Sequence, residues 1–250
     1  MTIAIDQRTM TRTRGNYLGP ERVGGLITWF RASGLMFSNN DAVTAWTPVV
    51  DNSGAGIALV DIGTDPTYDI GTLAVPSVDW TGSDGLEEAV ADCREMTPGT
   101  DEPFACFFSF RTTDNTDSCS FSTTGGGAAS AGNSGFRGFD WRIDGTNTRV
   151  TYRMKGDNNS LRDTKFTVAS LSNDTTYVFA AVLQHSNNVI YIWQNGGTAR
   201  TGSHTAGSYK HATRADCNLG NRIGGSTTNS PSGFIGDHLV YVRPSTDGPI

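Results

Sequence analysis

An all-β protein is what this sequence predicts: two antiparallel sheets packed face to face behind an extended N-terminal arm. Three observations carry the expectation. The 250 residues include 30 glycines, with Ser, Thr, Asn and Asp abundant around them, which supplies many turns. Only three lysines (Lys155, Lys165 and Lys210) and five glutamates are present, so the two best charged helix formers are nearly missing. About a dozen short apolar runs alternate with turn residues, the pattern of a sandwich and not of a βαβ fold.

Residues 1–23 read as an arm. They are polar, rich in Thr and Arg, and reach Gly19-Pro20, where Pro and the residue before it both resist helix. The sandwich is expected over residues 24–250. Leu26, Ile27, Trp29 and Phe30 begin its first strand, and a loop with Trp46 follows. Further strands are predicted near 57–61, 73–80, 104–111, 117–123, 137–143 and 148–154, and then near 164–169, 176–184, 188–194, 217–223 and 234–243. The sharpest alternation is Val189-Ile190-Tyr191-Ile192-Trp193. It puts Val189, Tyr191 and Trp193 on one face and Ile190 and Ile192 on the other, as expected of a central strand with two apolar faces. Phe104 to Phe110 is apolar on both faces in the same way. Asn195-Gly196-Gly197 provides residues that tolerate positive φ in the turn after Trp193.

Gly85–Asp92 is the one segment predicted as a short helix of a turn or two. Thr123–Gly135 is low-complexity; it lacks a GKS or GKT ending and a following helix, so it reads as a surface loop and not a phosphate cradle.

Net charge is −6, which speaks against nucleic acid as a partner, because phosphate neutralisation needs a basic face. The arm departs from this balance: Arg8, Arg12, Arg14 and Arg22 face only Asp6 and Glu21. Cys93, Cys106, Cys119 and Cys217 have irregular spacing and no CxxC pair, so reduced, buried thiols are expected, with one or two disulfides the alternative. No apolar run is long enough for a signal peptide or a membrane span, and synthesis in the cytosol with no membrane partner is the expectation.

Three segments together resemble the concanavalin-A-like, laminin-G-like jelly-roll superfamily. The first is Gly25-Leu26-Ile27-Thr28-Trp29-Phe30 with Trp46 and the loop Asp51-Asn52-Ser53-Gly54-Ala55-Gly56. The second runs from Thr176-Tyr177-Val178-Phe179 through Tyr191-Ile192-Trp193-Gln194-Asn195-Gly196, and the third from Leu219-Gly220 through Phe234 to Tyr241. The resemblance covers about residues 24–245 and implies two antiparallel sheets of six or seven strands each. It implies no single function, since its members include lectins, glycoside hydrolases, adhesion domains and virion proteins. Asp237-His238 stands where the superfamily often has a glutamate, and no matched set of calcium ligands is present. Asp51 is expected to cap a turn and not to hold a metal.

Catalysis finds little in the sequence. Retaining glycosidases need two carboxylates about 5 Å apart. Glu21, Glu87, Glu88, Glu95 and Glu102 all fall outside the predicted central strands, and Asp140 and Asp144 lie at a strand end or turn. His185, His204, His211 and His238 belong to no G-x-S-x-G arrangement, and zinc spacing is absent. Neither an enzyme nor a cofactor is expected. Trp29, Trp80 and Trp193 read as core. Trp46 and Trp141 border loops, where packing is the leading reading and stacking on a sugar the other.

The function expected from these features is that of a virion structural protein, a capsid decoration or tail-associated component of a bacteriophage-like particle. It would dock on capsid or tail proteins and form a homo-oligomer. Arg8, Arg12 and Arg14 would place guanidinium groups on carboxylates of the shell, with Tyr17 and Leu18 as an apolar anchor. The alternative is a lectin-like module that binds glycans, in an extracellular setting instead of a virion.

Overall fold

A computed structural model of the chain describes residues 20, 24–82, 84–88, 93–96, 104–114, 120–126, 137–144, 149–155, 161–164, 171–184, 189–203, 216–220 and 231–242. The docking residues expected in the arm, Arg8, Arg12, Arg14, Tyr17 and Leu18, lie outside them, as do Cys119, His185, His204 and His211.

Two antiparallel sheets form a jelly-roll-like sandwich. In chain order the strands are β1 (Leu26–Phe30), β2 (Ala45–Trp46), β3 (Val50–Asp51), β4 (Leu59–Asp61), β5 (Thr67–Asp69), β6 (Ser77–Thr81), β7 (Leu86–Glu88), β8 (Phe104–Thr112) and β9 (Ser120–Gly126). There follow β10 (Arg137–Asp144), β11 (Arg149–Lys155), β12 (Leu161–Thr164), β13 (Thr176–Gln184), β14 (Val189–Gln194), β15 (Arg200–Ser203), β16 (Asp216–Leu219) and β17 (Ser232–Val242). Among the described residues, the first sheet has nine strands in the path β15-β14-β13-β8-β17-β1-β3, with β6 also pairing β17 and carrying β5. The second has eight, in the order β12-β11-β10-β9-β16-β7-β4-β2.

Period-two alternation decides what fills the space between the sheets. From the nine-stranded sheet come Phe30, Phe104, Cys106, Phe108, Phe110, Tyr177, Phe179, Ile190, Ile192, Ile235 and Val240, and from the other Trp46, Leu59, Leu86, Trp141, Cys217 and Leu219. The rings interlock: Phe30 meets Trp46 edge-on at 6.1 Å, and Phe179 lies 5.6 Å from Phe110 and 5.9 Å from Trp141. Each large side chain so buried contributes about 1.5–3 kcal/mol. Gly220, just past β16, must be glycine: its φ is +69°, and an added Cβ would sit 1.6 Å from Trp80 Nε1.

Several sequence expectations are corrected. The segment expected to start a short helix at Gly85 instead forms β7, an interior strand between β16 and β4, and the turn of 3-10 helix comes later, at Cys93–Met96. Leu86 and Glu88 face the core there, the Glu88 carboxylate accepts from the Ala58 N–H at 2.8 Å, and pairing to β16 and β4 on the two edges holds the stretch extended. Glu87 and Glu88 therefore do lie in an interior strand. Thr123–Gly126, expected to open a loop, continues β9, because both of its edges are paired, by β10 and by β16. Leu161–Thr164 forms β12, paired to β11, while all but the first residue of the strand expected near 164–169 lies outside the described residues.

Candidate binding surface

The nine-stranded sheet has a second apolar layer on the side away from the core. Leu26, Ala105 and Tyr241 are buried there, with Trp29, Val50, Val182 and Leu239 packed against them. Register turns this layer into rows. Trp193 pairs with Ala180, Ala180 with Phe107, Phe107 with Leu239, Leu239 with Trp29, and Trp29 with Val50. Six strands thus contribute one residue each to a single line across the sheet. The next line is Thr201, Tyr191, Val182, Ala105, Tyr241 and Leu26.

Several of these side chains keep part of their surface in water. Phe107 is 36% exposed, and Trp29, Tyr191, Trp193 and Leu239 are half-buried. Tyr191 and Trp193, two residues apart on β14, stack at 5.9 Å with 22° between their planes. Phe107 meets Tyr241 edge-on at 5.6 Å. The Tyr241 hydroxyl donates to the Pro20 carbonyl at 3.3 Å, which fixes the C-terminal end of the arm at this face.

Polar groups line one side of the apolar row. After β14 the chain turns through Asn195 (φ 51°) and Gly196 (φ 66°), closed by the Gly197 N–H on Gln194 O at 2.9 Å. Asn195 Oδ1 accepts from the Val178 N–H at 2.7 Å, tying this turn to β13. Ser109 lies opposite Val178, and a bulge in β17 sets Gly236 and Asp237 against it, with the Asp237 N–H donating to Ser109 Oγ at 2.9 Å. The bulge adds a residue between the inward-facing Ile235 and His238, and so aims Asp237 at the outer face. There it meets Trp29 and Arg31. Burial pushes the Asp237 carboxyl up; the nearby Trp29 Nε1, the Arg31 guanidinium and the Ala32 N–H work against that, although the Trp29 N–H stays outside hydrogen-bond geometry. The Arg31 guanidinium lies 5.0 Å from the centre of the Trp29 ring.

This distribution of tryptophans differs from the sequence expectation. Trp46 and Trp141, the two open to a sugar-stacking role, are fully buried, while Trp80 is core as expected. Trp29 and Trp193, expected in the core, stand on the outer face, since Phe30 and Ile192 beside them take the inward positions. The double apolar face of β14 carries the signal: a sandwich buries one face of each sheet, so Val189, Tyr191 and Trp193 exceed what the core can take.

Elsewhere the chemistry is structural. Asp51 accepts from the Ser53 N–H at 3.0 Å, the Ile57 N–H at 2.9 Å and the Ser53 hydroxyl, so it closes the 51–57 loop. Among the described residues no group of His, Cys, Asp or Glu could hold a metal ion. Cys93, Cys106 and Cys217 are fully buried. His238 is buried against Phe30 and Phe108, and desolvation lowers its pKa to about 3. Asp79, on β6, is raised to about 6 by burial and by the charges of Asp69 and Asp84. No helix among the described residues is long and apolar enough to cross a membrane.

No family model matches the chain, and no curated protein sequence matches it. Solved structures do match in fold. Domain 4 of an extracellular arabinanase from Geobacillus stearothermophilus, in complex with arabinotriose, superposes with a TM-score of 0.60 at 12% identity, over 88% of this chain and 95% of that one. The Trypanosoma rangeli sialidase in complex with sialic acid superposes with a TM-score of 0.50 at 11% identity, over 88% of this chain and 31% of that one. At these identities the likeness is one of fold.

Proposed function

We propose that this chain is a non-catalytic glycan-binding domain that holds sugars on the outer face of its nine-stranded sheet. The observation that carries the reading is the registered row from Trp193 through Phe107 to Trp29, half-exposed aromatics bordered on one side by Asn195, Ser109, Asp237 and Arg31. Sugar rings present C–H faces that stack on aromatic planes and hydroxyls that need polar partners beside them, and this surface supplies both. The arabinanase domain, whose structure is in complex with arabinotriose, shares the fold and lends the reading support.

Docking on a virion shell, with capsid or tail proteins as partners, is the second reading. It rests on the arginines of the N-terminal sequence and on the Pro20–Tyr241 hydrogen bond, which starts the arm from the same face. A glycan array probed with the full chain separates the two. The proposal expects saturable binding to at least one class of glycan, lost in Trp193→Ala with melting temperature retained. Absence of binding across the array would sink it and leave the docking reading.

A further inference from the structure

Resting on the glycan-binding reading, we infer that the site takes an extended, uncharged oligosaccharide chain laid across the strands, and not a single terminal sugar. The two indoles of the row, Trp193 on β14 and Trp29 on β1, are separated by β13, β8 and β17. Four inter-strand steps place them about 19 Å apart, and a ring in an extended chain advances by roughly one such step, so about four rings reach from one indole to the other. Between them Ala180, Phe107 and Leu239 continue the row without a charged residue.

A lone sugar is recognised in a concave pocket, where polar groups converge on it from several sides. Here they do the opposite. Asn195, Ser109, Asp237 and Arg31 each lie two positions along the chain from their row residue, and so form a line parallel to the row, broken between Asn195 and Ser109 by the exposed Val178. One face of each ring would rest on the row while hydroxyls along one edge of the chain meet that line. The Asn195 carbonyl oxygen is committed to the Val178 N–H, which leaves its amide nitrogen to donate. Ser109 offers a hydroxyl and Asp237 accepts.

The charge of the line favours a neutral chain. Arg31 lies within coulombic reach of Asp237 and 5.0 Å from the Trp29 ring centre, so the line carries one positive and one negative group side by side. An acidic sugar would bring its carboxylate toward Asp237, on a protein whose net charge is −6.

Calorimetric titration of the full chain with neutral β-glucan, xylan and arabinan series, each from monosaccharide to hexasaccharide, tests the inference. The expected result is affinity rising about tenfold or more from disaccharide to tetrasaccharide in the series that binds, then levelling off. Trp29→Ala should abolish that gain while leaving disaccharide binding on the Tyr191–Trp193 pair. Trp29→Phe serves as the second variant, with partial loss expected, should the alanine form fail to fold. Equal affinity for monosaccharide and hexasaccharide, or an oligogalacturonide bound as tightly as its neutral counterparts, would overturn the inference but not the glycan-binding reading. No binding by any series would overturn both.

Discussion

The Trp141 indole Nε1 donates to Cys106 Sγ at 3.1 Å, and with this contact β10 of one sheet reaches β8 of the other through the middle of the core. Both side chains are fully buried, and the indole ring also packs on Phe179 at 5.9 Å. A sulfur acceptor satisfies the indole N–H where no water reaches it, so the pair fixes the spacing of the sheets and fills it.

Trp141→Ala is therefore expected to lower stability by about 3–5 kcal/mol through the cavity it leaves. Cys106→Ala should cost less, about 1–3 kcal/mol, mainly by leaving the indole N–H without its acceptor. Urea unfolding followed by circular dichroism measures both. Equal stabilities for wild type and Trp141→Ala would contradict the packing described.

Gly220→Ala is expected to destabilise by about 2–4 kcal/mol, combining a left-handed backbone with a Cβ that would strike Trp80. Unfolding midpoints at a common denaturant slope report it. Gly54→Ala, where φ is also positive but nothing lies within 4 Å, should cost only the backbone part.

Asp79 and His238 give opposite pH dependences. For Asp79 the native pKa, about 6, lies above the unfolded value of 3.8, so the fold is favoured below 3.8 and loses that advantage as pH rises through about 6. Asp79→Asn should stabilise the protein above pH 6 and have little effect well below 3.8. A gain that is the same at both ends would show that charge is not the cause.

His238 is buried as the neutral ring, with its native pKa at about 3 against 6.5 when unfolded. Its contribution is complete above 6.5 and is lost as pH falls toward 3, at up to about 1.4 kcal/mol per pH unit. His238→Phe should flatten the acid side of the stability profile. An unchanged acid slope in that variant would locate acid sensitivity elsewhere.

Much of the fold was legible because alternation is a local signal. The runs at Phe104–Phe110, 176–184 and 188–194 announce the strands that became β8, β13 and β14, and the Asn195-Gly196-Gly197 turn takes the positive φ its residues allow. The stretch at Gly85–Asp92 misled, since what keeps Leu86–Glu88 extended is pairing on both edges to β4 and β16, both distant in sequence. The site was harder to read. Which of two apolar faces meets the opposing sheet depends on long-range pairing, so Trp29 and Trp193 could not be told from core by their neighbours in sequence. In the sequence Asp237 stands out only as a departure from the superfamily pattern; its orientation comes from a bulge between Ile235 and His238, visible only once β8 is placed beside β17.

The measurement that bears most directly on glycan binding at the aromatic face is tryptophan fluorescence quenching by acrylamide, with and without a bound oligosaccharide. Trp46, Trp80 and Trp141 are buried, while Trp29 and Trp193 retain surface in water, so quenching of the free protein should arise from these two. Saturation with an oligosaccharide shown to bind should shield both, and Trp29→Phe and Trp193→Phe should each remove part of the shielded signal. Full binding with quenching unchanged would contradict the account, because the sugar would then lie somewhere other than the row between Trp193 and Trp29.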